Sequence, residues 1–344
     1  MLRSKRLSSL LVIGVAATIW APHAVAQALD SPPVGLPHWD ATNQVLFFGG
    51  GVQGPFFVRG YVDAHRRGAD INMFKDFPGL QQAIVDSVTA GPDNATLIAA
   101  TLNFGGRDIR MSVLTYDSSA GLVKSWASAP QYAEAIAYSK DDDAIFVLGD
   151  RDVPNGSNVS DYPLVVEYSR DGRVLKGMVP VSTLKNSGNS FDQGGEIGQP
   201  ALRITKDRIY LYAPRNREVV MCDRNGVVLA YRSISDIVEK ISTEDGYHLN
   251  QIHQVDFSGD GNIVLELLLS NNKDYSLDVF QLNIKTGEAI PVHKAVNGGG
   301  LSFIGVKDGQ YLYIGEGGNL YVQSDEAQEP EPLSAASEKR TRVH

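Results

Sequence analysis

The chain has 344 residues, 43% apolar and 21% charged, with 31 basic against 40 acidic side chains. That composition belongs to a folded globular protein rather than a disordered or fibrous one, and the acidic balance argues against a nucleic-acid or anionic-membrane partner. The single cysteine, Cys222, rules out an intrachain disulfide and reads as a small apolar residue of a buried strand.

At the N-terminus Arg3, Lys5 and Arg6 precede the apolar run "LSSLLVIGVAATIW", and "AVA" follows at Ala24 to Ala26. A basic n-region, an apolar h-region and an A-x-A site together predict a secretory signal peptide over residues 1–26, cut after Ala26. The run is shorter than the ~20 residues needed to span a bilayer, and no other stretch approaches a membrane span. Removing these residues takes away three basic groups and no acid, so the net charge moves from −9 to −12 (28 basic against 40 acidic). The expected address is periplasmic or extracellular.

From there two turn types alternate. One carries a glycine: Gly68, Gly121, Gly172, Gly226 and Gly287, spaced 53, 51, 54 and 61 residues apart. The other centres on an aspartate: Asp93, Asp142, Asp207, Asp260 and Asp308, spaced 49, 65, 53 and 48 apart. Aspartate caps its own backbone in such turns, and glycine accepts positive φ. The runs between them are short and rich in Val, Ile, Leu and Tyr, as in "AEAIAYS", "AIFVLG", "PLVVEYS" and "VLKGMVP". Four runs per unit, repeated at this period, predict an all-β, six-bladed β-propeller of four-stranded antiparallel blades over about residues 35–326. "SISDIVEKIS" from Ser233 is at most a short helix between blades. A ring needs closing, so "PHWDATNQ" or "VLFFGG" is expected to complete the last blade. The remainder, residues 327–344, is polar and Pro-rich and reads as a disordered tail.

The unit "ALRITKDRIYLYAPRNREVVMCDRNGVVLAYRS" resembles an NHL repeat, and "IAYSKDDDAIFVLGDRD…LVVEYSRDGRVLKG" follows the same frame around an insert. The resemblance covers four units and implies the broad class of six-bladed propellers that holds NHL and gluconolactonase-like exported bacterial proteins. It implies fold rather than activity. Enzymes of that class use calcium held by carboxylates over the channel, or histidine-bound zinc. Here His248 and His253 stand five residues apart on an extended chain, facing opposite ways. "FSGDGN" lacks the spacing and closing glutamate of an EF-hand. No GxSxG, HExxH or CxxC occurs.

In a propeller the loops between second and third strands, and those between blades, gather at one mouth of the channel. Here they are the long, polar ones, so a ligand is expected there. Arg107, Arg151, Arg215, Arg217 and Lys273 lie in the former set, with Asn250 and Gln251 beside them in "EDGYHLNQ". Arginine forks suit polar or carboxylate partners. The adjoining acids Asp108, Asp150, Asp152, Glu218 and Asp274 are expected to take part of this charge in local pairs. The leading reading is a non-catalytic, monomeric binding or scaffold module for a polar small molecule or a protein partner, with no cofactor. The alternative is a calcium-dependent hydrolase or lyase using carboxylates such as Asp86, Glu134 and Glu196.

Overall fold

The computed structural model describes residues 36–49, 57–62, 65–128, 131–151, 162–185, 199–214, 216–235, 246–258, 261–271, 273–296, 300–324 and 329–333. Within them the chain forms six four-stranded antiparallel sheets. Blade 1 holds β1 (Leu36–Asp40), β2 (Val45–Gly49), β3 (Phe57–Val62) and β4 (His65–Asn72), followed by the one-turn α1 (Met73–Asp76). Blade 2 holds β5 (Gln82–Ala90), β6 (Thr96–Asn103), β7 (Ile109–Tyr116) and β8 (Leu122–Ala127). Blade 3 holds β9 (Gln131–Ser139), β10 (Ala144–Arg151), β11 (Pro163–Ser169) and β12 (Val174–Pro180). Blade 4 holds β13 (Ala201–Ile204), β14 (Arg208–Ala213), β15 (Glu218–Asp223) and β16 (Val228–Ser233). Blade 5 holds β17 (His248–Phe257), β18 (Asn262–Ser270), β19 (Tyr275–Asn283) and β20 (Ala289–Val296). Blade 6 holds β21 (Leu301–Lys307), β22 (Gln310–Gly315), β23 (Leu320–Gln323) and β24 (Glu331–Pro332). The protein is a six-bladed β-propeller.

The second strands explain how the blades stack. In β2, β10 and β14 almost every residue is buried, because successive side chains enter opposite faces and both faces are covered. Val45 and Phe47 pack into the core shared with blade 2, whereas Leu46 and Phe48 pack into the core shared with blade 6. The same division recurs at every interface, giving six apolar clusters among the described residues, one between each pair of neighbouring blades. Cys222 lies fully buried in the cluster between blades 3 and 4, and burial pushes its thiol up to about 12. It is a packing residue, as its sequence context indicated.

The first strands β1, β5, β9, β13, β17 and β21 each touch the first strand of the next blade, and β21 returns to β1, so they ring the axis. Turn chemistry follows the expected pattern. Asp117 accepts the Ser119 and Gly121 amides at 2.9 and 3.0 Å, and Asp223 accepts those of Asn225 and Val227 at 2.8 and 2.9 Å. One detail differs: in the blade 2 hairpin Ala120, not Gly121, takes the left-handed conformation (φ 63°). At Gly172 (φ 80°) the glycine has a second cause. A Cβ there would sit 2.6 Å from Cγ of Trp126 on the neighbouring blade, so the hairpin tip is also an interblade contact.

Ring closure differs from expectation. Neither "PHWDATNQ" nor "VLFFGG" joins the last blade; they form β1 and β2 of blade 1. Blade 6 takes its outermost strand from Glu331–Pro332, inside the segment read as a tail, where they pair with Val322 and Tyr321 and Leu333 packs on the adjoining core. Residues 334–344 lie outside the described set, as do 1–35 and most of "SISDIVEKIS". Closure rests on packing instead: the Trp39 indole of blade 1 lies over Gly305 of blade 6, where a Cβ would run into the ring.

Replacing Gly305 with alanine is therefore expected to destabilise the fold by about 1–3 kcal/mol through overpacking. Urea unfolding of Gly305→Ala should show a lower midpoint at unchanged slope, and an unchanged midpoint would remove Trp39–Gly305 as the closing contact.

Candidate functional site at the channel mouth

The two ends of the channel are built differently. At the end where first strands turn into second strands, residues 41–44 of blade 1 cross the axis. The Asp40 carboxylate is buried and accepts five hydrogen bonds: the amides of Thr42 and Asn43 (3.1 Å each), Asn43 Nδ2 (3.0 Å), Thr89 Oγ1 (2.8 Å) and the Ala90 amide (2.7 Å). Asn43 Nδ2 also faces the carbonyls of Ala90 in blade 2 (3.2 Å) and Tyr138 in blade 3 (3.1 Å). Thr42 Oγ1 accepts the Ile204 amide of blade 4 at 3.0 Å, across the ring. One short turn thus ties four blades together and plugs this end.

Equivalent positions continue the ties around the ring. Thr89 Oγ1 accepts the Tyr138 amide (3.2 Å), Arg203 donates to the Phe257 carbonyl, and Asp256 accepts the Val306 amide at 2.6 Å. Burial raises the Asp40 carboxyl above the usual range, against which its donors act. Burial likewise raises Asp256 to about 6, opposed first by the charge of Arg203 and then by its backbone donors. Strongly shifted acids often mark catalytic sites. These two are enclosed by blade-to-blade hydrogen bonds, which makes them structural.

The opposite end carries the residues singled out from the sequence. Arg107 is exposed in the turn between β6 and β7, and Lys273 is exposed in the turn between β18 and β19, where its amide is capped by Asn271 Oδ1 at 2.8 Å. Arg217 is half-exposed in a left-handed conformation (φ 52°) before β15. Asn250 and Gln251 lie near the start of β17, and Asn250 Nδ2 donates to Ser270 Oγ at 2.8 Å. These five share one face across blades 2, 4 and 5. Arg151 ends β10 with its side chain outside the described set, and Arg215 lies outside it altogether.

The expected local pairing is redirected. Asp108 binds Arg110 in a two-pronged pair (2.8 and 2.9 Å) rather than Arg107, and Arg110 stacks on Phe104 at 4.4 Å. Glu218 is fully buried, accepting the Lys185 amide and the Tyr231 hydroxyl rather than pairing with Arg217. The reason is geometric: neighbours in a turn diverge, and an arginine two residues on can lie alongside the acid. Arg107 and Arg217 have no ion pair among the described residues, so their charge stays available at the rim.

Residues missed in the sequence complete this end. Leu36, Ile84 and Tyr132, near the starts of three adjacent first strands, are 68%, 49% and 38% exposed. Other exposed apolar side chains, such as Val174 and Leu229, are spread around the outer strands, whereas these three lie on innermost strands of neighbouring blades. Their exposure is invisible in a pattern that makes every first strand look alike.

Deeper in the channel wall Asp86 accepts the Thr101 hydroxyl (3.0 Å), and His253 Nδ1 lies 3.5 Å from Glu266, which accepts the Phe303 amide (2.7 Å). Two register shifts in β17 break the strict alternation on which opposite facing of His248 and His253 was expected. Glu134 is half-buried and Glu196 lies outside the described set. Among the described residues no group of three or more His, Cys, Asp or Glu could hold a metal ion, and no helix is long and apolar enough to cross a membrane.

No family model matches the chain, and no curated protein matches it. Similar solved structures include BamB from Moraxella catarrhalis (10% identity, 89% of this chain and 87% of that one, TM-score 0.41). Others are a Bacteroides caccae protein of unknown function (12%, 83% and 91%, TM-score 0.43) and Kuenenia stuttgartiensis hydrazine synthase (13%, 90% and 81%, TM-score 0.44). Likeness at this level assigns no activity.

The plugged end has a measurable pH signature. Folded Asp256 keeps its proton up to about pH 6, whereas an unfolded aspartate loses it near its ordinary value of 3.8. Folding binds a proton across that window, so this stabilising contribution is present at low pH and lost as pH rises through 6. His38, lowered to about 4 by burial, has the opposite slope because the folded state excludes its proton. Relative to Asp256→Asn, the parent should lose about 3 kcal/mol of stability between about pH 4 and pH 7. Urea unfolding at both pH values reads this difference, and a constant difference would show an ordinary carboxylate.

Proposed function

We propose that this chain is an exported, non-catalytic propeller that binds a polar ligand or a protein partner at the unplugged end of its channel. The observation that carries the reading is the asymmetry of the two ends. One is closed by a turn whose Thr42 and Asn43 side chains bond to neighbouring blades. The other presents three exposed apolar side chains on neighbouring first strands, with Arg107, Arg217, Lys273, Asn250 and Gln251 on the same face. An apolar centre within a polar, cationic rim is the composition of a recognition surface. Rim arginines that form no ion pair among the described residues favour carboxylate-bearing or otherwise polar partners. Arg151 and Arg215, from equivalent or adjoining loops, extend the same rim in this reading. Export is supported by the basic, apolar and A-x-A segments of residues 1–26.

Three measurements test it. Arg107→Ala/Arg217→Ala/Lys273→Ala and Ile84→Ser/Tyr132→Ser should melt within a few degrees of the parent while losing at least tenfold in affinity, about 1.4 kcal/mol, for a partner captured from the exported fraction. Equal capture by both variants would refute the mouth as the binding surface. Millimolar calcium should leave the melting temperature unchanged, whereas a rise of several degrees would favour the calcium-dependent hydrolase or lyase instead. Mass spectrometry of the secreted protein should find Gln27 at the N-terminus, and a species retaining Met1 would contradict export with cleavage.

A further inference from the structure

A cavity lies at the other face, beside the plug, where only short turns occur. Its volume is about 470 Å³, and it is lined by Asn43, Val45 and Arg67 of blade 1, the 90–94 turn of blade 2, and Tyr138 and Lys140 at the end of β9. That volume falls in the range of small-molecule sites, roughly 300–1,000 Å³, and exceeds what a lone inorganic ion fills.

Its charges are unbalanced in a specific way. Arg67 is half-buried, and its guanidinium donates only to neutral oxygens, Thr96 Oγ1 at 3.2 Å and the Ala95 carbonyl at 2.9 Å, while lying 5.9 Å from the Phe47 ring centroid. Burial lowers its pKa, and the nearest acid acting on it is Asp40, whose oxygens are already taken by five donors. Lys140 is exposed and has no ion pair among the described residues. Against these two cations stands one acid on the lining, Asp93. Charges taken out of water are ordinarily paired, so a half-buried guanidinium that meets no carboxylate, beside an open cavity that a second cation also lines, is a site short of an anion. The remaining wall, Val45, Ala90, Pro92 and the Tyr138 ring, is largely apolar.

We infer that this cavity binds a small organic carboxylate with a compact apolar body, its carboxylate between Arg67 and Lys140 and its body against Val45, Pro92 and Tyr138. The site is separate from the channel mouth and stands or falls independently of it.

Isothermal titration of the whole mature protein with benzoate, benzamide and inorganic phosphate tests the assignment. Benzoate should bind in the millimolar range or tighter, weaken with added salt, and exceed its neutral isostere benzamide at least tenfold, about 1.4 kcal/mol. Lys140→Met should lower benzoate affinity about tenfold at an unchanged melting temperature. Arg67→Gln should abolish binding, and because Arg67 also ties the 95–96 backbone to blade 1, the exposed Lys140 variant keeps the test valid if Arg67→Gln fails to fold. Equal binding of benzoate and benzamide, or benzoate affinity unaffected by Lys140→Met, would overturn the proposal. So would phosphate binding without benzoate binding, or no binding of benzoate at about 10 mM.

Discussion

A β-sheet with two apolar faces has no stable place in water unless both are covered, and every blade of this protein contains such a sheet. Alternate residues of the second strands enter two different cores, as Val45 and Phe47 do on one side and Leu46 and Phe48 on the other. Six sheets satisfy this only by closing into a ring, because a row would leave one face bare at each end. The requirement is for apolar coverage rather than for a shared strand. Blade 6 can therefore finish itself with Glu331–Pro332 and meet blade 1 through Trp39 over Gly305. Glycine at that one position is the complement of the indole, where the equivalent residues of other blades, Asp40, Thr89, Arg203 and Asp256, make polar ties to the next blade.

Those ties give the ring a preferred end. Polar groups taken out of water cost free energy unless fully hydrogen-bonded, and around Asp40 the donors come from blades 1 and 2, while Asn43 and Thr42 reach blades 3 and 4. The network directs its polarity between blades. Asp256, held near 6 by burial, follows the same logic: its shift reports enclosure, not catalysis.

Each candidate surface follows from what remains unspent. At the mouth, Arg110 and not Arg107 takes Asp108, and Glu218 turns inward, so arginine charge remains on a face that also exposes Leu36, Ile84 and Tyr132. Beside the plug, Arg67 is partly buried without a carboxylate in contact. Both cases rest on the same principle, that a charge kept from its sequence neighbours is placed for something else. They differ in scale, since the mouth spans several blades and the cavity holds a small molecule.

By itself the sequence determined the strands, the turns and the number of blades. These are local properties: a run of Val, Ile, Leu and Tyr extends, Asp117 and Asp223 cap amides two and four residues on, and Gly172 takes a positive φ. The placement of Arg107, Arg217, Lys273, Asn250 and Gln251 on one face was legible too, because strand alternation sends every second-to-third-strand loop the same way. The tertiary structure alone decided how the ring closes, that residues 41–44 plug it, that Glu218 is buried, and that Leu36, Ile84 and Tyr132 stay exposed. Closure and the plug depend on contacts between residues far apart in sequence, 95 apart for Asn43 and Tyr138 and 162 apart for Thr42 and Ile204. A repeat makes such positions look alike in sequence, and only the curvature of the closed ring sets which of them come within hydrogen-bonding reach.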